Sequence, residues 1–117
     1  MATIRDVVEA LGRRDGVEAV IILGNDGLPI DSVAANGTDT DLLAALIPNI
    51  VQACEQFGKS AARGALTTGV LEYASGFAVL ANLTADAKLV IVLRTRTNLG
   101  PLLYDLSRFR AEIAGLL

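Results

Sequence analysis

Apolar positions recur at helical spacing in three stretches of the chain, and at strand spacing or in unbroken runs in five. Residues 3–14 read as a helix, because Ile4, Val7, Val8 and Leu11 fall on one face at the 3.6-residue period. Thr3 is placed to cap it, and Asp6 puts a negative charge in the first turn, where free N–H groups favour it. The glycines at 12 and 16 close it. Residues 17–23 are β-branched and apolar, interrupted only by Glu18. Asn25-Asp26-Gly27 follows, a tight-turn signal because Asn and Gly tolerate positive φ. Residues 28–34 alternate in part, with Leu28, Ile30 and Ser32 facing one way, so the two runs read as a hairpin.

Asn36-Gly37-Thr38 is a loop, after which Thr38, Asp39 or Thr40 caps a helix over residues 39–57. Its apolar set is wide: Leu42, Leu43, Leu46, Ile47, Ile50, Val51, Cys54 and Phe57. One sheet contact does not need so broad a stripe. Pro48 lies inside and removes the hydrogen bond to the Ala44 carbonyl, which predicts a kink or a later start. Gly58 is the expected stop. Residues 65–73, 77–83 and 88–93 then follow as strands joined by short turns, a meander. Asn98 as cap and Pro101 as an early helical residue open the last helix. Its apolar face carries Leu99, Leu102, Leu103, Leu106, Phe109, Ile113 and Leu116.

The resulting order is α-β-β-α-β-β-β-α, an α+β class. Residues 19–23 and 89–93 are apolar at consecutive positions. A strand apolar on both faces needs cover on both, and only helices are available, so the sheet lies between helix layers. These two strands are therefore central neighbours. The hairpin leaves residues 28–34 at one edge and the meander leaves residues 65–73 at the other. Pro29 and Asp31 discourage further pairing at the first. The second has neither Pro nor Lys and invites another chain. With the over-wide helix beside it, that edge predicts a symmetric homodimer.

At 117 residues the chain is expected to be one domain, residues 1–117. With 52% hydrophobic and 20% charged residues it is too apolar to stay disordered. Net charge −3 without a Lys/Arg run argues against nucleic acid. There is no His, which excludes His-based catalysis and His-ligated metal. One Cys forms no internal disulfide and fits a reducing compartment. The N-terminus lacks a signal-peptide core and every apolar run is too short to span a bilayer, so the expectation is cytoplasmic, without membrane insertion.

Little chemistry remains. Gly58-Lys59-Ser60 resembles the end of a phosphate-binding loop, but Ala53 stands where its first Gly belongs, and a helix precedes it instead of a strand. Asp26, Asp31, Asp39 and Asp41 lack calcium-loop spacing; turns and caps account for Asp26, Asp39 and Asp41. Cys54 lies on an apolar helix face with no His to activate it, and reads as a buried thiol. No enzyme, metal or cofactor is expected. Arg63, Arg94 and Arg96 stand in loops where an anionic partner could meet them.

The chain resembles the Roadblock / dynein light chain family. The resemblance is carried by Gly16-Val17-Glu18-Ala19-Val20-Ile21-Ile22-Leu23 with Asp26-Gly27-Leu28-Pro29-Ile30, by the Leu/Ala-rich middle helix, and by Leu89-Val90-Ile91-Val92-Leu93 leading into Thr97-Asn98-Leu99-Gly100. It implies a three-layer α-β-α sandwich with a five-stranded antiparallel sheet, the middle helix on one face and the terminal helices on the other. It also implies a homodimer that extends the sheet, with Thr67, Gly69 and Leu71 on the pairing edge and Ile47, Ile50 and Cys54 on the nearby helix. Members of that family are non-enzymatic platforms that bind small Ras-like GTPases or act as adaptors. The resemblance therefore points to a GTPase-regulating dimer, with Arg63 and Arg96 as candidate partner contacts; the alternative is a small ligand-sensing or adaptor module.

Overall fold

The computed structural model describes residues 2–35 and 37–117; Met1 and, from the expected loop, Asn36 lie outside the described residues. The elements are α1 (Ile4–Gly12), β1 (Val17–Gly24), β2 (Pro29–Ala34), α2 (Thr40–Ser60), β3 (Thr68–Tyr73), β4 (Gly76–Thr84), β5 (Ala87–Arg94) and α3 (Gly100–Ala114). This is the expected order. All strand pairs are antiparallel, and the sheet runs β2-β1-β5-β4-β3. The two unbroken apolar strands are neighbours at its centre, with the hairpin and the meander supplying the edges.

Period-two alternation along the central strands assigns each side chain to a layer. Val20 and Ile22 of β1 and Leu89, Ile91 and Leu93 of β5 pack with Val8 of α1 and Leu102 and Leu106 of α3. Ile21 and Leu23 of β1 and Val90 of β5 face the other way, onto Ala44, Ile47 and Val51 of α2. Burying an Ile or Leu fully contributes roughly 1.5–3 kcal/mol, so these two strands anchor all three helices.

Local chemistry sets the element ends. Thr3 caps α1 in a reciprocal box: its hydroxyl accepts from the Asp6 N–H, and the Asp6 carboxylate accepts from the Thr3 N–H. Asp39 is the residue that caps α2, accepting from the Leu42 N–H at 3.0 Å. Pro48 does not delay α2, which is continuous over 21 residues. The helix docks its Ala44–Pro48 stretch on the β1–β2 turn, where Gly27 sits at φ 79°; a Cβ there would stand 3.2 Å from Ala45 Cα. Glycine is required at that contact both for space and for conformation.

Gly58 does not stop α2, contrary to expectation. It is glycine because a Cβ would come within 2.6 Å of the Gly64 carbonyl oxygen. The helix ends on Ala62, at φ 58°, with the Arg63 N–H bonded to the Gly58 carbonyl and the Ala62 N–H to the Lys59 carbonyl. That is a Schellman closure with alanine in the left-handed position. β3 begins at Thr68 and not at residue 65, because side chains take the preceding main chain. Glu55 accepts from the Leu66 N–H at 3.2 Å and Asn82 Nδ2 donates to the Leu66 carbonyl. Asn98 does not cap α3 as expected. Leu99 holds the cap position without a side-chain bond, and Asn98 Oδ1 accepts from the Gly100 N–H instead. Phe109 leaves the apolar face in part and lies under the Arg108 guanidinium, 5.0 Å from its ring centre.

Candidate functional site

The open border of β3 and the adjoining flank of α2 form one continuous surface. The Asn82 N–H bonds the Thr67 carbonyl, and the β3–β4 register is unbroken from Thr68 to Tyr73. In an antiparallel ladder alternate residues turn both main-chain groups to the same neighbour. Thr67, Gly69, Leu71 and Tyr73 therefore turn theirs to β4, while Thr68, Val70 and Glu72 turn theirs outward. Thr67, Gly69 and Leu71, expected on the pairing edge, are thus not the residues whose N–H and C=O face the open border. Gly69, Leu71 and Tyr73 pair with Leu80, Ala78 and Gly76 and stand on the α2 face, where Leu71 packs into the core beneath the helix. Val70 is 43% exposed. Nothing lies within 4 Å of a Cβ placed on Gly69.

The second half of the surface is α2. The helix crosses the strands, with Ala44 over the β1–β2 turn at one end and Glu55 bonded to Leu66 and Asn82 near β3 at the other. Ile47, assigned from sequence to the interface, is 6% exposed and belongs to the chain's own core. Ile50 packs at the edge of that core and Cys54 is half-buried. The outward stripe includes instead Leu46, 52% exposed, and Phe57, 74% exposed. With Ile50 and Ala53 they follow the i, i+4, i+7, i+11 spacing of one helix line. Below this line α2 leaves part of the sheet bare. An apolar groove of about 340 Å³ opens there, lined by Leu43, Leu46 and Ile50 of α2 and by Leu71, Tyr73 and Ala78 of the sheet, with Glu18 and Ser75 among its few polar groups.

The arginines separate. Arg63 follows the α2 closure and Arg96 sits at φ 62° in the β5–α3 loop; both are exposed. Because β3 and β5 run in the same direction, the start of β3 and the end of β5 lie at opposite ends of the sheet, and the two are not brought together in one copy. Arg94 is paired with Asp15 at 3.0 Å. Arg5 of α1 pairs with Asp31 of β2 at 2.8 Å, a contact that pushes its guanidinium pKa up, first through that hydrogen bond. Gly58, Lys59 and Ser60 form the last turn of α2. Asp26 accepts from the Leu28 N–H in the β1–β2 turn, and Asp41 lies in the first turn of α2. Among the described residues no three His, Cys, Asp or Glu side chains gather to hold a metal. No helix among them is long and apolar enough to cross a membrane.

A family model described as Roadblock/LC7 domain matches residues 3–93. No curated protein matches the chain. Among solved structures, Myxococcus xanthus MglB superposes with a TM-score of 0.87 at 21% identity, covering 97% of this chain and 93% of that one. The gliding protein mglB from Thermus thermophilus gives 0.83 at 18% identity, with 97% and 87% coverage. A structure described as MglB with tetrameric arrangement gives 0.84 at 18%, with 97% and 86% coverage. At such identities the likeness is one of fold.

Proposed function

The chain belongs to the Roadblock/LC7 family, and on that premise we propose that it is a non-enzymatic, homodimeric platform that binds and regulates a small Ras-like GTPase. The observation that carries the reading is the unguarded border of β3 lying beside the bare apolar flank of α2. Two copies pairing β3 to β3 in antiparallel fashion are related by an axis perpendicular to the sheet. The sheet then continues across both copies, and both α2 helices stand on the same face. Gly69 supports this arrangement. Glycine weakens a strand by roughly 0.5–1 kcal/mol relative to alanine, and nothing within one copy crowds its Cβ position. A close approach by another backbone gives it a reason. A tetrameric arrangement in a structural relative is in keeping with self-association.

Such a platform needs no reactive group or cofactor of its own. It acts by holding the switch segments of the GTPase in one of two states, through differential affinity. The β3 pairing also brings Arg63 of one copy to the same end of the joint sheet as Arg96 of the other, so that both can meet one anionic partner. A ligand-sensing module would need polar groups converging in its pocket; the groove under α2 offers Glu18 and Ser75 against an apolar wall. That favours a protein surface. The test is to add the purified chain to a Ras-like GTPase from the same genome and follow nucleotide hydrolysis and exchange. A changed rate that falls with Arg63→Ala and Arg96→Ala is expected; the absence of binding to every such GTPase overturns the reading.

A further inference from the structure

The groove and the exposed phenylalanine lie on one helix flank but at opposite ends of β3. Phe57 stands half a turn past Glu55, which binds Leu66 just before β3 begins. The groove is lined by Tyr73, Ser75 and Gly76, where β3 finishes. The six residues of β3 separate these ends by roughly 17–20 Å, so Phe57 does not fill the groove of its own copy. The helix is also long for its sheet. From Ala44, over the β1–β2 turn, it runs about 24 Å to Ser60. From that turn to β3 is only about 17 Å at ~4.8 Å per strand. The final turns of α2 therefore carry Phe57 to the open border and leave it in solvent.

We infer that the Phe57 ring of each copy fills the groove beneath the other copy's α2, against Leu46, Ile50 and Tyr73. The inference rests on the β3-to-β3 dimer proposed above, which supplies the geometry. Antiparallel pairing lays the start of one β3 beside the finish of the other. A perpendicular axis keeps both α2 helices on the same side. The knob at the start then meets the hole at the finish, twice per dimer. Each groove is incomplete in the single chain and is closed by the second copy.

The test uses the full chain with Cys54→Ser, so that no native thiol competes. Phe57→Cys and Tyr73→Cys are introduced together and oxidised mildly. A covalent dimer on a non-reducing gel is expected from the pair, and not from either substitution alone. In parallel, sedimentation measures the dimer constant of Phe57→Ala, whose exposed position leaves the isolated fold intact by circular dichroism. Losing an interface anchor is expected to weaken dimerisation about 30-fold or more. A wild-type dimer with no 57–73 cross-link and less than a threefold change in Phe57→Ala overturns the inference and leaves the β3 dimer standing. A wild-type chain that stays monomeric overturns both.

Discussion

The two borders of the sheet are built from strands of the same length and end differently. At β2 the outward main-chain groups of Ser32 are already occupied. Asp31 Oδ1 accepts from the Ser32 N–H at 2.8 Å, and Arg5 donates to the Ser32 carbonyl at 3.1 Å while it pairs with that same carboxylate. A proline at the head of the strand removes one more donor. β3 has no counterpart: among the described residues no side chain bonds the main chain of Val70 or Glu72, the centre of its open border. A bare strand edge is a template for another chain, and proteins ordinarily blunt it. One border is thus closed by a three-residue clasp and the other left open, which is the contrast the proposed β3 dimer rests on.

The largest effect is expected from closing the open border. Val70→Pro removes an outward N–H without breaking a bond to β4. Sedimentation should show dimerisation weakened by about 100-fold or more, with the monomer still folded. The reverse experiment opens the closed border. Asp31→Ala frees the Ser32 N–H and removes one ion pair of Arg5, whose guanidinium keeps Glu9 as a partner. The expected cost is about 1 kcal/mol in denaturant unfolding, with association beyond the dimer appearing in sedimentation.

How far this contrast was legible in the sequence depends on what each feature needs. Strand order followed from two apolar runs, since double-sided burial forces residues 19–23 and 89–93 to the centre. Pro29 and Asp31 marked the closed border, but the hold of Arg5 on it comes from 26 positions away and left no local trace. The later start of β3 has the same reason: residues 65–67 have strand composition, but the side chains of Glu55 and Asn82 claim the main chain of Leu66. The end of α2 lies beyond the expected Gly58 because that glycine serves packing, while the left-handed residue that stops the helix is an alanine. Which β3 residues face outward is a matter of parity, and a shift of one reverses every assignment. Phe57 was counted in the apolar stripe, yet only the crossing of α2 over the sheet shows that it has no cover.

Two smaller effects sharpen the picture. Ala62→Gly relieves the left-handed alanine that delivers the chain to β3, and should raise unfolding stability by about 0.5–1 kcal/mol in urea titration. The last concerns α1, which carries the Arg5 clasp. The Thr3 N–H, and then its hydroxyl, hold the Asp6 carboxyl below its usual pKa. A carboxyl depressed in the folded state adds stability above its unfolded value, and loses it as pH falls through the lower folded value. The first turn of α1 should therefore loosen in acid, seen as faster amide exchange there, and Asp6→Asn should abolish that pH dependence.

Residue-resolved hydrogen exchange in β3 distinguishes a paired border from an open one. The Gly69 and Leu71 amides bond β4 and should be protected at every concentration. The outward Val70 amide is expected to become protected as concentration rises through the dimer constant. A Val70 amide that exchanges at the open-chain rate in the assembled protein would contradict the β3 dimer.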